Sequence, residues 1–327
     1  MELSDLAAYT APLREPTVMS YRGLDVYGMA PPSSGGSTVG EALNLIEAVT
    51  PTAASQTEVT HAYLEASALA FADRNRWVGD SDVVDVPLAE LLSEGFAAER
   101  ACLCRPACAS TKPLAPGLPD GSYEGCGGAT GQVGLAQQPG QSTTHLTTAD
   151  ADGNVVAYTL TIEATGGAGI VVPGRGFLLN NELTDFNFTD TQGGADPNLP
   201  GPGKRPRSSM APTIVLSDGE PLLALGSPGG STIITTVLQT LVNRVELGMS
   251  LPEAVAAPRA SQRNTPSVQA EPGFDRAGLT PLGHTFTSTA EIGAATGIEI
   301  LADGRFKAVA EPQRRGGGSA MVVATAP

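Results

Sequence analysis

Positive charge is scarce in this chain. Lysine and arginine total 19 of 327 residues against 34 aspartates and glutamates, for a formal net charge of −15. That sign disfavours nucleic acid and anionic membrane as partners, since both need basic patches. Long apolar runs are missing too, and none reaches the ~20 residues that a membrane-spanning helix needs. Residues 1–15 have neither a basic start nor an apolar core, so they do not read as a signal peptide. Histidine occurs only at 61, 145 and 284. Cys102, Cys104 and Cys108 form a CxCxxxC cluster, with Cys126 further on. Lacking CxxC pairs and nearby histidines, the cluster reads as surface thiols rather than a zinc site. A disulfide to Cys126 stays open as an alternative. No internal repeat is visible.

What is present describes a folded chain rich in turns. Hydrophobic residues make 41% of it, too many for a disordered segment. Gly 39 and Pro 26 supply abundant loops. Residues 37–49 read as a helix with a polar cap and apolar Val39, Leu43 and Ile46. Residues 55–77 read as a stronger helix, with Ala62, Ala66, Leu69 and Ala70 on one stripe. Asp73 and Arg74 near its end read as a structural ion pair. A third helix is expected near 87–101, with Leu88, Leu91, Leu92 and Phe96 at helical spacing. Residues 103–142 lose periodicity and read as a mobile tail, because forty structureless residues are unusual inside a compact domain.

From Thr144 the pattern turns to strands. Asp152-Gly153, Asp218-Gly219 and Asp303-Gly304 each sit between apolar runs and mark hairpins. Helices are expected at 231–247 and 251–257. Helices, then hairpins, then helices again indicate an α+β fold with helices layered on sheets. At the entry to the first hairpin stands Ser142-Thr143-Thr144-His145-Leu146, preceded by the loop Pro139-Gly140-Gln141. A hydroxyl residue between an exposed loop and a strand is where a chain could cut itself. The new amino terminus would carry both a hydroxyl nucleophile and an amine base.

Four further blocks give that reading its weight. They are Gly174-Arg175-Gly176-Phe177 running on to Asn180-Asn181-Glu182-Leu183-Thr184-Asp185, then Pro202-Gly203-Lys204-Arg205-Pro206-Arg207-Ser208-Ser209-Met210, then Gly226-Ser227-Pro228-Gly229-Gly230-Ser231, and upstream Pro31-Pro32-Ser33-Ser34-Gly35-Gly36. In this order they resemble the γ-glutamyltranspeptidases, a family of N-terminal-nucleophile hydrolases. The resemblance implies a four-layer αββα sandwich, incomplete at its amino end. It further implies that 1–142 is the carboxyl portion of a large-subunit-like region ending in a flexible loop, and that 143–327 is small-subunit-like and catalytic. Family precursors are longer at the amino end, where an arginine grips the substrate carboxylate. No motif here supplies that arginine, so the expectation is a fragment, one half of a two-chain enzyme needing a separate amino-terminal segment, or a non-catalytic remnant. Family members are often secreted or periplasmic.

By the same resemblance, scission falls between Ser142 and Thr143, and Thr143 becomes the nucleophile with Thr161 as its hydrogen-bonding partner. Gly229 and Gly230 match an oxyanion pair; small residues before a helix let backbone N–H groups approach a tetrahedral intermediate. Ser208 and Ser209 match residues that bind the α-carboxylate, and Glu182 and Asp185 match those holding the α-ammonium. Glu163 falls where the family most often has asparagine. A third carboxylate there would raise the pKa of one neighbour by like-charge repulsion. The implied substrate is a glutathione-like γ-glutamyl amide, with water, an amino acid or a peptide as acceptor. An acylase of the cephalosporin or glutaryl type is the alternative. No cofactor and no metal are expected.

Overall fold

The computed structural model describes residues 1–123, 125–126, 142–194 and 196–323. Seven helices and eleven strands are found among them: α1 Leu3–Ala8, β1 Thr17–Tyr21, β2 Leu24–Gly28, α2 Gly35–Val49, α3 Gln56–Trp77, α4 Leu88–Leu91, α5 Glu94–Ala101, β3 Thr143–Ala149, β4 Val155–Thr161, β5 Thr213–Ser217, β6 Glu220–Gly226, α6 Thr232–Val245, α7 Leu251–Ala256, β7 Ala260–Ser261, β8 Val268–Ala270, β9 Phe286–Ser288, β10 Thr296–Ile300 and β11 Phe306–Ala310. The class is α+β.

Six strands form one sheet in the order β1-β2-β5-β6-β10-β11, antiparallel throughout. Helices α2 and α6 pack on one face of it, with α3 against both, and the hairpin β3-β4 lies across the other face. A small sheet β7-β8-β9 stands apart. The core between helices and sheet is aliphatic, with Leu43, Ile46, Leu64, Leu69, Ile234, Leu238, Val215 and Leu225 fully buried. All three expected hairpin turns occur, joining β3-β4, β5-β6 and β10-β11. At the second, Asp218 (φ 52°) and Gly219 (φ 82°) both occupy the left-handed region that a two-residue hairpin loop demands.

The main helices form where periodicity put them. Helix α3 is started by Ser55, whose side chain accepts from Glu58 N while Glu58 reaches back to the Ser55 N–H. The expected third helix is instead broken into α4 and α5. Ser93 takes an extended conformation and its hydroxyl accepts from Phe96 N, starting a new helix; Asn44 Nδ2 meanwhile claims the Leu92 carbonyl. Hairpin β1-β2 went unread, although Arg22 (φ 52°) and Gly23 (φ 79°) make its tight turn. The β7-β8-β9 sheet was unread because its strands are only two or three residues long.

Three expectations need correction. Asp73 and Arg74 are not paired with each other. Successive helical residues diverge by about 100°, and Asp73 instead meets Arg100 at 2.9 Å, both fully buried. Residues 103–123 have no helix or strand, yet they are tied down. Backbone N–H groups of Ser110 and Gly117 donate to the buried carboxylates of Glu65 and Asp73, and Asn264 brackets Leu114 with two hydrogen bonds. The rest of the supposed tail, 127–141, lies outside the described residues. The cysteines are not simply surface thiols: Cys102 is bonded to Cys126 and Cys104 is buried, which leaves Cys108 exposed.

Candidate active site

The hairpin β3-β4 sets the centre of the site. Its register pairs Thr143 with Thr161. Strand alternation sends His145 inward, where its Nδ1 meets Thr159 Oγ1 at 2.8 Å. Gly226 on β6 leaves the room for that imidazole; a Cβ there would lie 2.2 Å from His145 Cε1. Burial pushes the imidazole down to about 4, so it is neutral at pH 7. The hairpin is thus keyed into the large sheet two residues from Thr143.

The Thr161 hydroxyl is a hub. It donates to the Ser142 carbonyl oxygen at 2.9 Å and accepts from Thr143 Oγ1 at 3.2 Å and from Glu163 N at 2.9 Å. One side chain therefore touches both partners of the Ser142–Thr143 peptide bond. It can polarise the carbonyl while receiving the hydrogen bond of the adjacent Thr143 hydroxyl. Ser142 N donates to the Glu163 carbonyl at 3.1 Å, which closes the strand end.

A small cleft opens at this point. Thr143, Thr161, Glu163, Glu182, Asp185, Ser208, Ser209 and Gly230 all line it, with Met210, Ser231 and Ile233 completing the wall. Gly229 is the one proposed site residue beyond the scission bond that does not line it. Its φ of 142° and that of Gly230, 57°, turn the chain into α6, where Thr232 Oγ1 caps the Gly229 carbonyl at 2.8 Å. A Cβ on Gly229 would sit 2.6 Å from that hydroxyl.

One wall of the cleft is acidic. Burial, then Asp185, then Glu163 raise Glu182 to about 7; its Oε1 is buried without a hydrogen-bond partner among the described residues. Burial and Glu163 raise Asp185 to about 6, against the opposing pull of Arg74 and Arg207. Like charge from Glu163 thus acts on both neighbours in the direction expected, behind burial. Glu163 itself sits at φ 71°, a left-handed position that is costly for a residue with a Cβ. Its carboxylate accepts from Asn181 Nδ2, while Asn181 Oδ1 accepts from Ala164 N at 2.9 Å.

The opposite wall carries hydroxyls and a buried cation. Ser208 is fixed by a parallel bridge to Ser33, with Ser34 donating twice to its carbonyl. Arg74 from α3 donates to Ser209 Oγ at 2.8 Å, Ser34 Oγ at 2.7 Å and Asn75 Oδ1 at 3.0 Å. Burial and Arg207 hold its guanidinium well below the usual arginine range. Arg207 in turn donates to the Arg74 and Val78 carbonyls, each at 3.1 Å. Sequence reasoning missed Arg74, Ser34 and Asn181 as parts of this site. Asn181 stood inside a recognised block without a role, and Arg74 and Ser34 gave no signal of proximity because they lie more than a hundred residues from Ser209. The wide cleft of about 910 Å³ beside the site shares Thr161, Glu182 and Ser208 with it and runs out past Arg14, Tyr158 and Arg205.

The chain matches the family model for Gamma-glutamyltranspeptidase over residues 1–321. It is 40% identical over 331 residues to the glutathione hydrolase proenzyme of Bacillus subtilis (strain 168), covering 97% of this chain and 54% of the relative. It is 38% identical over 261 residues to the Acylase ACY 1 proenzyme of Pseudomonas sp. (strain SE83), covering 79% of this chain and 43% of the relative. The crystal structure of cephalosporin acylase from Bacillus halodurans is similar with TM-score 0.79 and 26% identity, covering 97% of this chain and 55% of that one. The chain spans about half the length of the curated relatives it matches.

Proposed function

The chain belongs to the gamma-glutamyltranspeptidase family, and on that premise we propose that it is the scission and acyl-transfer part of a γ-glutamyl hydrolase or transferase. Cleavage between Ser142 and Thr143 would yield segments 1–142 and 143–327. Thr143 Oγ1 attacks the Ser142 carbonyl carbon, and water completes the hydrolysis, leaving a carboxylate on Ser142 and a free amine on Thr143. That amine has an unperturbed pKa of about 8 and then serves as base for the same hydroxyl. The observation that carries this reading is the single Thr161 hydroxyl bonded to both Ser142 O and Thr143 Oγ1.

In turnover, Thr143 attacks the γ-carbonyl of a glutathione-like amide. Gly229 and Gly230, at the amino end of α6, offer backbone donors to the oxyanion. Ser208 and Ser209 hold the α-carboxylate, and Glu182, Asp185 and Glu163 hold the α-ammonium. The acyl-enzyme is released to water, an amino acid or a peptide. The helices, large sheet and hairpin are consistent with three consecutive layers of an αββα sandwich.

The test is a denaturing gel of the wild-type chain and Thr143→Ala, each expressed alone and with the amino-terminal segment of a family precursor. Two bands from the wild type and one from the variant are expected. A single uncut band from both, under both conditions, overturns the assignment. An acylase acting on a side chain without the α-amino group is the second reading, favoured by the similarity to cephalosporin acylase. Faster turnover of a glutaryl than a γ-glutamyl anilide would select it.

A further inference from the structure

Three buried side chains far from the cleft form a cluster that none of the chemistry above uses. His61 and Glu65 stand one turn apart on α3, and His284 arrives from the turn that leads into β9. They are only 5%, 1% and 4% exposed. One ligand-type atom from each lies within 4.8 Å of the others. We propose that His61, Glu65 and His284 form a binding site for one Zn²⁺ ion.

The donor set suits that ion. Two imidazoles and a carboxylate are borderline ligands of the kind Zn²⁺ takes at three protein positions. The hydrogen bonds already orient them. His61 Nε2 lies 2.7 Å from the Arg105 carbonyl oxygen, which can only accept. His61 therefore carries its proton on Nε2 and turns the lone pair of Nδ1 inward, an arrangement typical of metal-ligating imidazoles. Its Nδ1 is 2.7 Å from His284 Nε2, so in the metal-free state His284 carries the proton between them. Binding requires His284 to move that proton to its own Nδ1 and present Nε2 to the ion. Both rings stay neutral, and no proton is lost from the pair. Ligand atoms bonded at about 2.0–2.2 Å in a tetrahedral site lie roughly 3.3–3.6 Å apart, so the two rings open by less than an ångström.

A cation already competes for this place. The Lys112 ammonium is paired with Glu65 and also reaches the Ser110 carbonyl at 3.2 Å. It holds Oε1 of the carboxylate that the metal would need, Oε2 being tied to the Ser110 N–H at 3.0 Å, so metal entry at Oε1 displaces Lys112. This supplies a test that runs in two directions. Losing a ligand should weaken binding, and losing Lys112 should strengthen it. A merely structural hydrogen-bond cluster would show neither response. The ion would also join α3 to a segment on the far side of the Ser142–Thr143 bond, since His61 and Glu65 precede that bond and His284 follows it.

The experiment uses the tag-free full chain in a Cys108→Ser background, which removes the exposed thiol. After dialysis against a chelator, Zn²⁺ is titrated in competition with a chromophoric chelator, and Co²⁺ is added separately for its visible spectrum. The expected result is one Zn²⁺ per chain, and a Co²⁺ spectrum of tetrahedral intensity. His284→Gln should weaken affinity by about 100-fold or more, and Lys112→Met should tighten it by about 10-fold, on the scale on which ligand-shell changes act. Circular dichroism checks that both variants are folded; where one is not, the other decides, and where neither is, the parent chain's stoichiometry and Co²⁺ spectrum decide. No uptake by the parent chain at about a hundred micromolar Zn²⁺ (far above the usual range for such sites), unchanged affinity in a folded His284→Gln, or no tightening in Lys112→Met each overturns the proposal.

Discussion

Replacing Glu163 by glutamine removes one charge from the acidic wall and almost no volume. Glu182 stands at about 7 against an ordinary 4.5, and Asp185 at about 6 against 3.8. Each rise corresponds to roughly 3 kcal/mol between protonation states, less what solvent screening removes from partly exposed groups. Burial is the largest cause for both, so the substitution cannot return either to its ordinary value. As a general scale, two like charges about 7 Å apart at an effective dielectric between about 20 and 80 repel by about 0.6–2.4 kcal/mol, or about 3-fold to 60-fold in a proton-binding constant. Glu163 is the leading charge acting on Asp185 but ranks behind Asp185 in acting on Glu182. Asp185 should therefore fall further than Glu182. The sign for stability follows. A carboxyl whose folded pKa is raised stabilises the fold when protonated, and that contribution is lost as pH rises from about 4 to about 7. Glu163→Gln should flatten this loss. Carbon-13 carboxyl titration by NMR, with urea melts at pH 4.5 and 7.5, reads both effects. Midpoints in Glu163→Gln equal to wild type, or wild-type midpoints in the ordinary carboxylate range, would refute the electrostatic account of the wall.

Three other outcomes follow from contacts already described. Gly226→Ala puts a methyl group into the His145 imidazole and should cost about 1–3 kcal/mol in urea unfolding, the scale of an overpacked core; an unchanged midpoint would mean the hairpin is not keyed there. Arg100→Met strips the buried Asp73 carboxylate of its ion pair and should cost about 3–5 kcal/mol, whereas Arg305→Met, at the exposed pair with Asp303, should fall within about 1 kcal/mol. Burial holds His145 at about 4, so its contribution to stability is complete above pH 6.5 and is lost as pH falls towards 4. Thr159→Val, which removes its hydrogen-bond partner, should leave the direction of that loss unchanged in melts across the same range.

Period and turn chemistry made much of the fold legible. The 3.6-residue stripes of α2, α3 and α6 and the Asp-Gly turns of three hairpins are local signals, and local signals survive folding. The Thr143–Thr161 pairing came from the family resemblance and not from the turn: a two-residue loop at Asp152-Gly153 would set Thr143 opposite Ile162, whereas the loop spans 150–154 and sets it opposite Thr161. Local signals failed wherever a distant partner decided the outcome. Asp73 chose Arg100 over its neighbour Arg74, and Arg74 reached Ser34 and Ser209 instead. Residues 103–123 looked like a tail because they have no period. Their order comes from carboxylates on α3, which composition does not reveal. His61 and His284 are separated by 223 residues and meet ring to ring. That proximity is set by how α3 packs against the carboxyl-terminal segment.

Ser142, Thr143 and Thr144 put three hydroxyls in a row at the mouth of the hairpin, and chemistry alone does not choose among them. The choice is made by counting. Thr143 meets Thr161 because the turn at Asp152-Gly153 fixes the register ten residues away and His145 is locked into the hollow at Gly226. A slip of one residue would bring Thr144, now exposed opposite Leu160, to the inner face and carry His145 out to solvent. A change in the turn, remote from the cleft and touching nothing in it, would then set a different threonine against Thr161. Which threonine faces Thr161 is held by strand alignment, and the hairpin acts as the ruler that measures it.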